Sequence, residues 1–293
     1  MPLLRLRTVL CSVDSSPATG RQITLAVDLC RAFGARLVLH RNRVTAPVGA
    51  SVGWMWAAEH PTDSQAVVEQ ELGEILARLS GLVQAEARVT HGQPSAAVLS
   101  VAEAVGADLV VLSSHGTTDE DHISVTEQVL GRGKLAVIAL HEPHAESDAS
   151  SFAAAVGRPQ VVVVPTDLTP ESRAAVELAF ELARVLPIEL HLLHFLPHGA
   201  TKTDERAGTM RETSRRLLAL IPNDLIQRTR VHVEDGNAAR GITEVASRLE
   251  AACIVMGEHT RAPLRRWFSR DTSRAVLHRA PCPVWYVPGQ RSA

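Results

Sequence analysis

QVVVVPTDLTPESRAAVELAFELARVLPIELHLL (160–193) decides the fold. A run of β-branched residues leads to Asp167 and a polar turn carrying Pro170, and SRAAVELAFELARVL (172–186) then spaces its apolar residues as a helix does before a second apolar run begins. Strand, turn, helix and strand in that order make one βαβ crossover, and an unbroken valine run marks a parallel strand covered on both faces. TVLCSVDSSPATGRQITLAVDLCRAFGARLVL (8–39) has the same pattern, with Asp14 superposing on Asp167 at an offset of 153 residues.

The repeat continues downstream. THGQPSAAVLSVAEAVGADLVVLSSHG (90–116) aligns with EDGNAARGITEVASRLEAACIVMGEHT (234–260) at an offset of 144, which pairs Gly92 with Gly236 and Gly116 with Thr260. The fall from 153 to 144 gives the first copy about nine extra residues, placed in APVGASVGWMWAAEHP (46–61). LAVIALHE (135–142) aligns with CPVWYVPG (282–289) at 147, so the first copy is three residues shorter before its last strand. Each copy reads β-α-β-loop-α-β-α-β. The chain is therefore expected to be α/β, with two tandem doubly wound, Rossmann-like parallel-sheet domains at 1–146 and 158–293, joined by a small, polar linker at 147–157. Ligands of such sheets bind beyond the carboxyl ends of the strands. Asp14, Ser113, Asp167 and Gly257 all fall there.

The bulk composition agrees. The 293 residues are 45% hydrophobic, 21% charged and only 3% aromatic, so Ala, Val, Leu and Ile must fill the cores. A formal net charge of -2 gives no electrostatic case for nucleic acid or an anionic membrane, and no apolar run is long enough to span a bilayer. The opening MPLLRLRTVLCSVD reads as a first strand and not a signal peptide. Cys11, Cys30, Cys253 and Cys282 show no C-x-x-C spacing, and buried reduced thiols in a cytoplasmic protein are expected. The histidines are read as structural and no metal is assigned. His191 and His194 read as lying on one strand and pointing to opposite faces, so they cannot share an ion unless the strand ends early.

IVMGEHTRAPLRRWFSRDTSRAVLHRAPCPVWYV (254–287) closes the second copy. It resembles the end of a universal stress protein domain, in which Gly-x-x-Gly, nine residues, Gly and Ser or Thr follow a strand and precede a helix and a Pro-Cys-Pro-Val strand. The Asp167 and Asp235-Gly236 turns fit the same family, and the resemblance covers both halves. It implies an adenine-nucleotide alpha-hydrolase-like fold, a bacterial stress-response role and, where the motif is intact, ATP binding and weak ATPase activity. Glycines there let backbone N–H groups approach phosphate, and a Ser or Thr hydroxyl donates to it.

Both copies depart from that motif. In the second, Gly257 keeps the first glycine, but Thr260 replaces the second, Arg270 the third and Asp271 the hydroxyl residue, and a carboxylate repels a triphosphate. In the first, Ser113 replaces the first glycine, Gly116 keeps the second, the loop TTDEDH (117–122) is short and acidic, and Ser124 takes the hydroxyl position. The cofactor-binding candidates are therefore Asp14, Ser113, Gly116 and Ser124 in the first domain, for ATP or AMP, and Asp167, Gly257, Thr260 and Asp271 as a degenerate set in the second. No G-x-S-x-G, H-E-x-x-H or Walker A motif is present, and no catalytic residue is assigned. The arginines at 261, 265, 266, 270, 274 and 279 read as a solvated helix face or as a site for another anion or partner.

The function expected is a non-enzymatic adaptor or signalling module that acts on an unknown protein partner. The alternatives are an ATP- or AMP-binding sensor using the first domain, and a metal-dependent or weak ATPase activity. Family domains dimerise through their last strands, so LAVIAL (135–140) and PVWYV (283–287) are expected to pair within the chain as a pseudo-dimer, with Trp285 and Tyr286 at the seam. Homodimers of whole chains are compatible with that pairing.

Overall fold

The computed structural model describes residues 6–14, 19–43, 65–114, 124–132, 135–141, 159–196, 203–258 and 270–289. The segment 46–61, the linker 147–157, the loop 117–122, Gly116 and Thr260 lie outside them. The chain divides into two compact units, Leu6–Ser113 and the chain from Ser114 onward.

The first unit carries β1 (Thr8–Val13), α1 (Thr19–Phe33), β2 (Arg36–Arg43), α2 (Gln65–Leu79), β3 (Ala85–His91), α3 (Pro94–Val105) and β4 (Leu109–Ser114). Its strands lie in the order β3-β2-β1-β4, and the pairs β1 with β2, β1 with β4 and β2 with β3 are parallel. The chain steps outward from β1 through β2 to β3 and then crosses to β4 on the other side of β1, so β1 lies inside the sheet, and Val9, Leu10, Cys11, Leu37, Val38 and Val110 have no exposed surface. The helix ends follow from local chemistry. Gln93 caps α3 by accepting from the Ala96 N–H, Pro94 starts it, and Gly106 at φ 62° ends it in the left-handed conformation.

The second unit carries α4 (Val125–Leu130), β5 (Ala136–His141), β6 (Gln160–Pro165), α5 (Pro170–Val185), β7 (Ile188–Leu196), α6 (Thr203–Leu218), a 3-10 turn (Asn223–Arg228), β8 (Thr229–Asp235), α7 (Ala238–Arg248), β9 (Cys253–Glu258), α8 (Arg270–Arg279) and β10 (Val284–Pro288). Its strand order is β5-β10-β9-β6-β7-β8. The pairs from β10 to β8 are parallel. β5, the last strand of the first repeat, runs antiparallel against β10, the last strand of the second, with Trp285 opposite Ile138 and Tyr286 opposite Val137. Trp285 and Tyr286 have no exposed surface. This pairing places α4 and β5 in the second unit although their sequence belongs to the first repeat.

The tandem doubly wound architecture read from the repeat is the one found. All four cysteines are free thiols and buried. Among the described residues no helix is long and apolar enough to cross a membrane.

Candidate functional site

In the first unit Asp14 follows β1 directly, at the carboxyl end of an inner strand. Its carboxylate takes hydrogen bonds from the Ser113 hydroxyl at the end of β4 (3.1 Å) and from the Thr19 hydroxyl at the start of α1 (3.2 Å), and Thr19 also donates to the Asp14 carbonyl (2.7 Å). Two of the sequence candidates, Asp14 and Ser113, are thus brought together. The serine standing where the motif has its first glycine supplies the bond.

Beside them runs a chain of polar side chains that the sequence reading did not single out. Ser12 Oγ lies 2.9 Å from His40 Nδ1, His40 Nε2 lies 2.7 Å from Thr90 Oγ1, Thr90 donates to Asn42 Oδ1 (3.0 Å), and Asn42 Nδ2 donates to the Gly92 carbonyl (2.9 Å). Because the Thr90 proton is committed to Asn42, Thr90 accepts from His40 Nε2–H, and His40 Nδ1 accepts from Ser12. The imidazole is neutral, has no exposed surface, and burial pushes its pKa down to about 4. Gln22, wholly buried on α1, donates from Nε2 to the Ser12 carbonyl (3.2 Å).

Once the strand register is known, the repeat shows how these positions differ between its copies. Ser12 pairs with His40 in the register of β1 and β2, as Pro165 pairs with Leu193 in β6 and β7. At the same offset Gln22 corresponds to Ala175 and Asn42 to Phe195. The second repeat fills with apolar groups what the first keeps polar.

In the second unit Asp167 is put to another use. Its Oδ1 accepts from the N–H and the hydroxyl of Thr169 (3.1 and 2.5 Å), and Thr169 in turn caps α5 by accepting from the Ser172 N–H (3.3 Å). Leu168 between them is held at φ 61°, a conformation that costs a branched residue free energy. Gly257, the counterpart of Ser113, lies within β9 opposite Val287 and brings no hydroxyl to Asp167. Asp271 falls in the first turn of α8.

Ser124 precedes α4 and closes a capping box. Its Oγ accepts from the Glu127 N–H (3.2 Å), and its own N–H donates to Glu127 Oε2 (2.8 Å). Arg274 Nε (2.7 Å) and His278 Nε2 (3.3 Å), one turn apart on α8, reach Glu127 Oε1. Burial pushes the Glu127 carboxyl up, but the Ser124 amide, His278 and Arg274 outweigh it and hold it below its ordinary value. Ser124 belongs to the second unit and Asp14 to the first.

Among the described residues no three His, Cys, Asp or Glu side chains gather as a metal site. His191 bonds to His232 and His194 to the Thr166 carbonyl, so the two do face apart.

The sequence profile of the universal stress protein family matches residues 5–141 and again 159–288. The chain belongs to the universal stress protein family. A universal stress protein from Archaeoglobus fulgidus is similar in structure over 99% of this chain and 98% of its own, at 19% identity and a TM-score of 0.71. A functionally unknown protein from Pseudomonas aeruginosa PAO1 is similar over 96% of this chain and 92% of its own, at 14% identity and a TM-score of 0.66. At such identities the likeness is one of fold. Comparison with curated protein sequences finds no match.

Proposed function

We propose that this universal stress protein is a non-enzymatic stress adaptor or signalling module whose nucleotide sites are degenerate. The observation that carries the reading is the closure of Ser124 on Glu127. A phosphate approaching the Ser124 N–H would meet a carboxylate that already accepts from that N–H at 2.8 Å and is held by Arg274. Two anions at that separation repel even at a surface dielectric. In the second repeat Asp167 Oδ1 is engaged by Thr169, and an acidic residue, Asp271, replaces the hydroxyl residue of the motif. The partner is a protein, met in the cytoplasm.

A second reading is an ATP or AMP sensor built on the first unit. It is favoured by Asp14, whose carboxylate is oriented by Ser113 and Thr19 at the carboxyl end of an inner strand. The experiment separates the two. The chain is purified without added nucleotide and denatured, the released small molecules are read by mass spectrometry, and the intact protein is titrated with ATP in a calorimeter. No released nucleotide and no heat at millimolar ATP support the adaptor. ATP or AMP at near one per chain, lost in Asp14→Ala, supports the sensor and overturns the adaptor reading as stated.

A further inference from the structure

In the second unit two imidazoles meet across neighbouring strands. His191 on β7 and His232 on β8 have ring centroids 5.0 Å apart and planes 12° from parallel, and His191 Nδ1 lies 2.8 Å from His232 Nε2. That centroid separation is the N···N distance plus one ring radius on each side, which leaves no room for one ring to sit above the other. The rings are joined edge to edge by an in-plane N–H···N bond. With each bridging nitrogen aimed at the other, the pair has no opening for a metal ion between them.

The surroundings assign the protons. Glu189 Oε1 lies 3.5 Å from His191 Nε2, so the neutral pair turns that N–H to the carboxylate. His191 Nδ1 then accepts from His232 Nε2–H, and His232 Nδ1 is left as an acceptor. One added proton enters at His232 Nδ1 and keeps the bridge, now charge-assisted. A second does not fit. It puts hydrogen on both bridging nitrogens and sets two cations side by side.

The charged groups around the pair do not supply a full counter-charge. On β7 stands Glu189, which already pairs with Arg230 of β8 (3.1 Å). On β8 stands Glu234, which pairs with Arg248 of α7 (2.6 Å). Burial lowers both histidines below their ordinary value, with His232 and Arg230 adding to the effect on His191, and Arg248 to that on His232. Among the described residues β8 is the terminal strand of its sheet and pairs only with β7. The first repeat has Val38 and Arg88 at the two positions and cannot form the bridge.

We propose that the His191–His232 bridge is an acid-released latch on the edge strand β8. With both rings protonated the bridge breaks, β8 loosens from β7, and the outer hydrogen-bonding groups of β7 open to solvent. Neutral pH restores it.

Amide hydrogen exchange of the full chain, corrected for intrinsic rates, tests this between about pH 7.5 and about pH 5. Protection of residues 229–235 is expected to fall with acid, by about tenfold for each pKa unit through which the fold lowers the pair. Protection of β6 stays unchanged. His191→Val, the first repeat's own residue there, removes the dependence. His232→Gln, whose amide donates the same bond without titrating, leaves only His191 to titrate, so it diminishes the dependence, and it serves if His191→Val does not fold. Constant β8 protection across the range, or an undiminished dependence in His232→Gln, overturns the proposal.

Discussion

Ser12 and His40 face each other across β1 and β2 with Oγ and Nδ1 2.9 Å apart, and the imidazole between Ser12 and Thr90 is neutral and wholly buried. A folded value of about 4 against an ordinary 6.5 has a defined sign. The contribution is fully present above pH 6.5 and is lost as pH falls toward 4, roughly 3 kcal/mol in all. His40→Leu, which copies Leu193 of the other repeat, leaves Ser12 and Thr90 without their partner and should cost about 1–3 kcal/mol at pH 7. Urea unfolding at several pH values should show that loss together with a shallower decline toward acid.

Glu127 titrates in the opposite sense. Its carboxyl is held low, so the stability it contributes is present above the ordinary glutamate value of 4.5 and disappears as pH drops below it. Its side chain is 11% exposed, and Arg274 depends on it for an ion pair. Glu127→Gln keeps the shape and removes the charge. A loss of about 1–3 kcal/mol in urea unfolding is expected, with no recovery in Glu127→Asp, which is too short to close the capping box.

Gly241 on α7 touches the ring of Phe195 on β7, and an added Cβ would overlap the ring edge. Gly241→Ala gains helix propensity, yet the buried ring has no free direction to move in, so the variant should lose about 1–3 kcal/mol. Phe195→Leu in the same chain should restore most of it. The first repeat already holds the exchanged pair, Ala97 with Asn42. Equal thermal midpoints for Gly241→Ala and the parent would refute the packing argument.

The four thiols should be silent in the native state. Burial pushes Cys30 and Cys282 up to about 12, and it raises Cys11 and Cys253 as well. Thiolate is the reactive form, so a chromogenic disulfide reagent at mild alkaline pH should label none in the folded protein and four in guanidinium. Prompt labelling of the folded chain would mean that the packing around one of these thiols opens.

The fold was legible because the Val run before Asp167 and the helix after it recur at 8–39, and parallel strands write their burial into the sequence as unbroken apolar runs. The pairing of β5 with β10 was expected from the family resemblance, in which domains meet through their last strands, and not from the residues alone. The polar chain through His40 was not. HRNR at the end of β2 looks like a strand running into solvent, and only the register that puts His40 beside Ser12 and near Thr90 shows it to be internal. Ser124 is a similar lesson. Its motif position points to phosphate, but Glu127 three residues on makes a capping box that takes the Ser124 N–H and sets a carboxylate beside the hydroxyl. The His191–His232 contact joins residues 41 apart on different strands, which neither periodicity nor motif spacing encodes.

The antiparallel seam of β5 on β10 has a consequence for how the molecule depends on its own abundance. Two separate one-domain chains that met along such strands would assemble only as far as their concentration allowed. Here both strands are on one chain, so each is present to the other at an effective concentration set by the connection between them. Dilution does not undo the pairing of Trp285 with Ile138, and neither a rise nor a fall in expression changes the fraction of molecules that have it. With both repeats on one chain the pairing is part of folding, and a chain cut between residues 141 and 159 would make it depend on concentration.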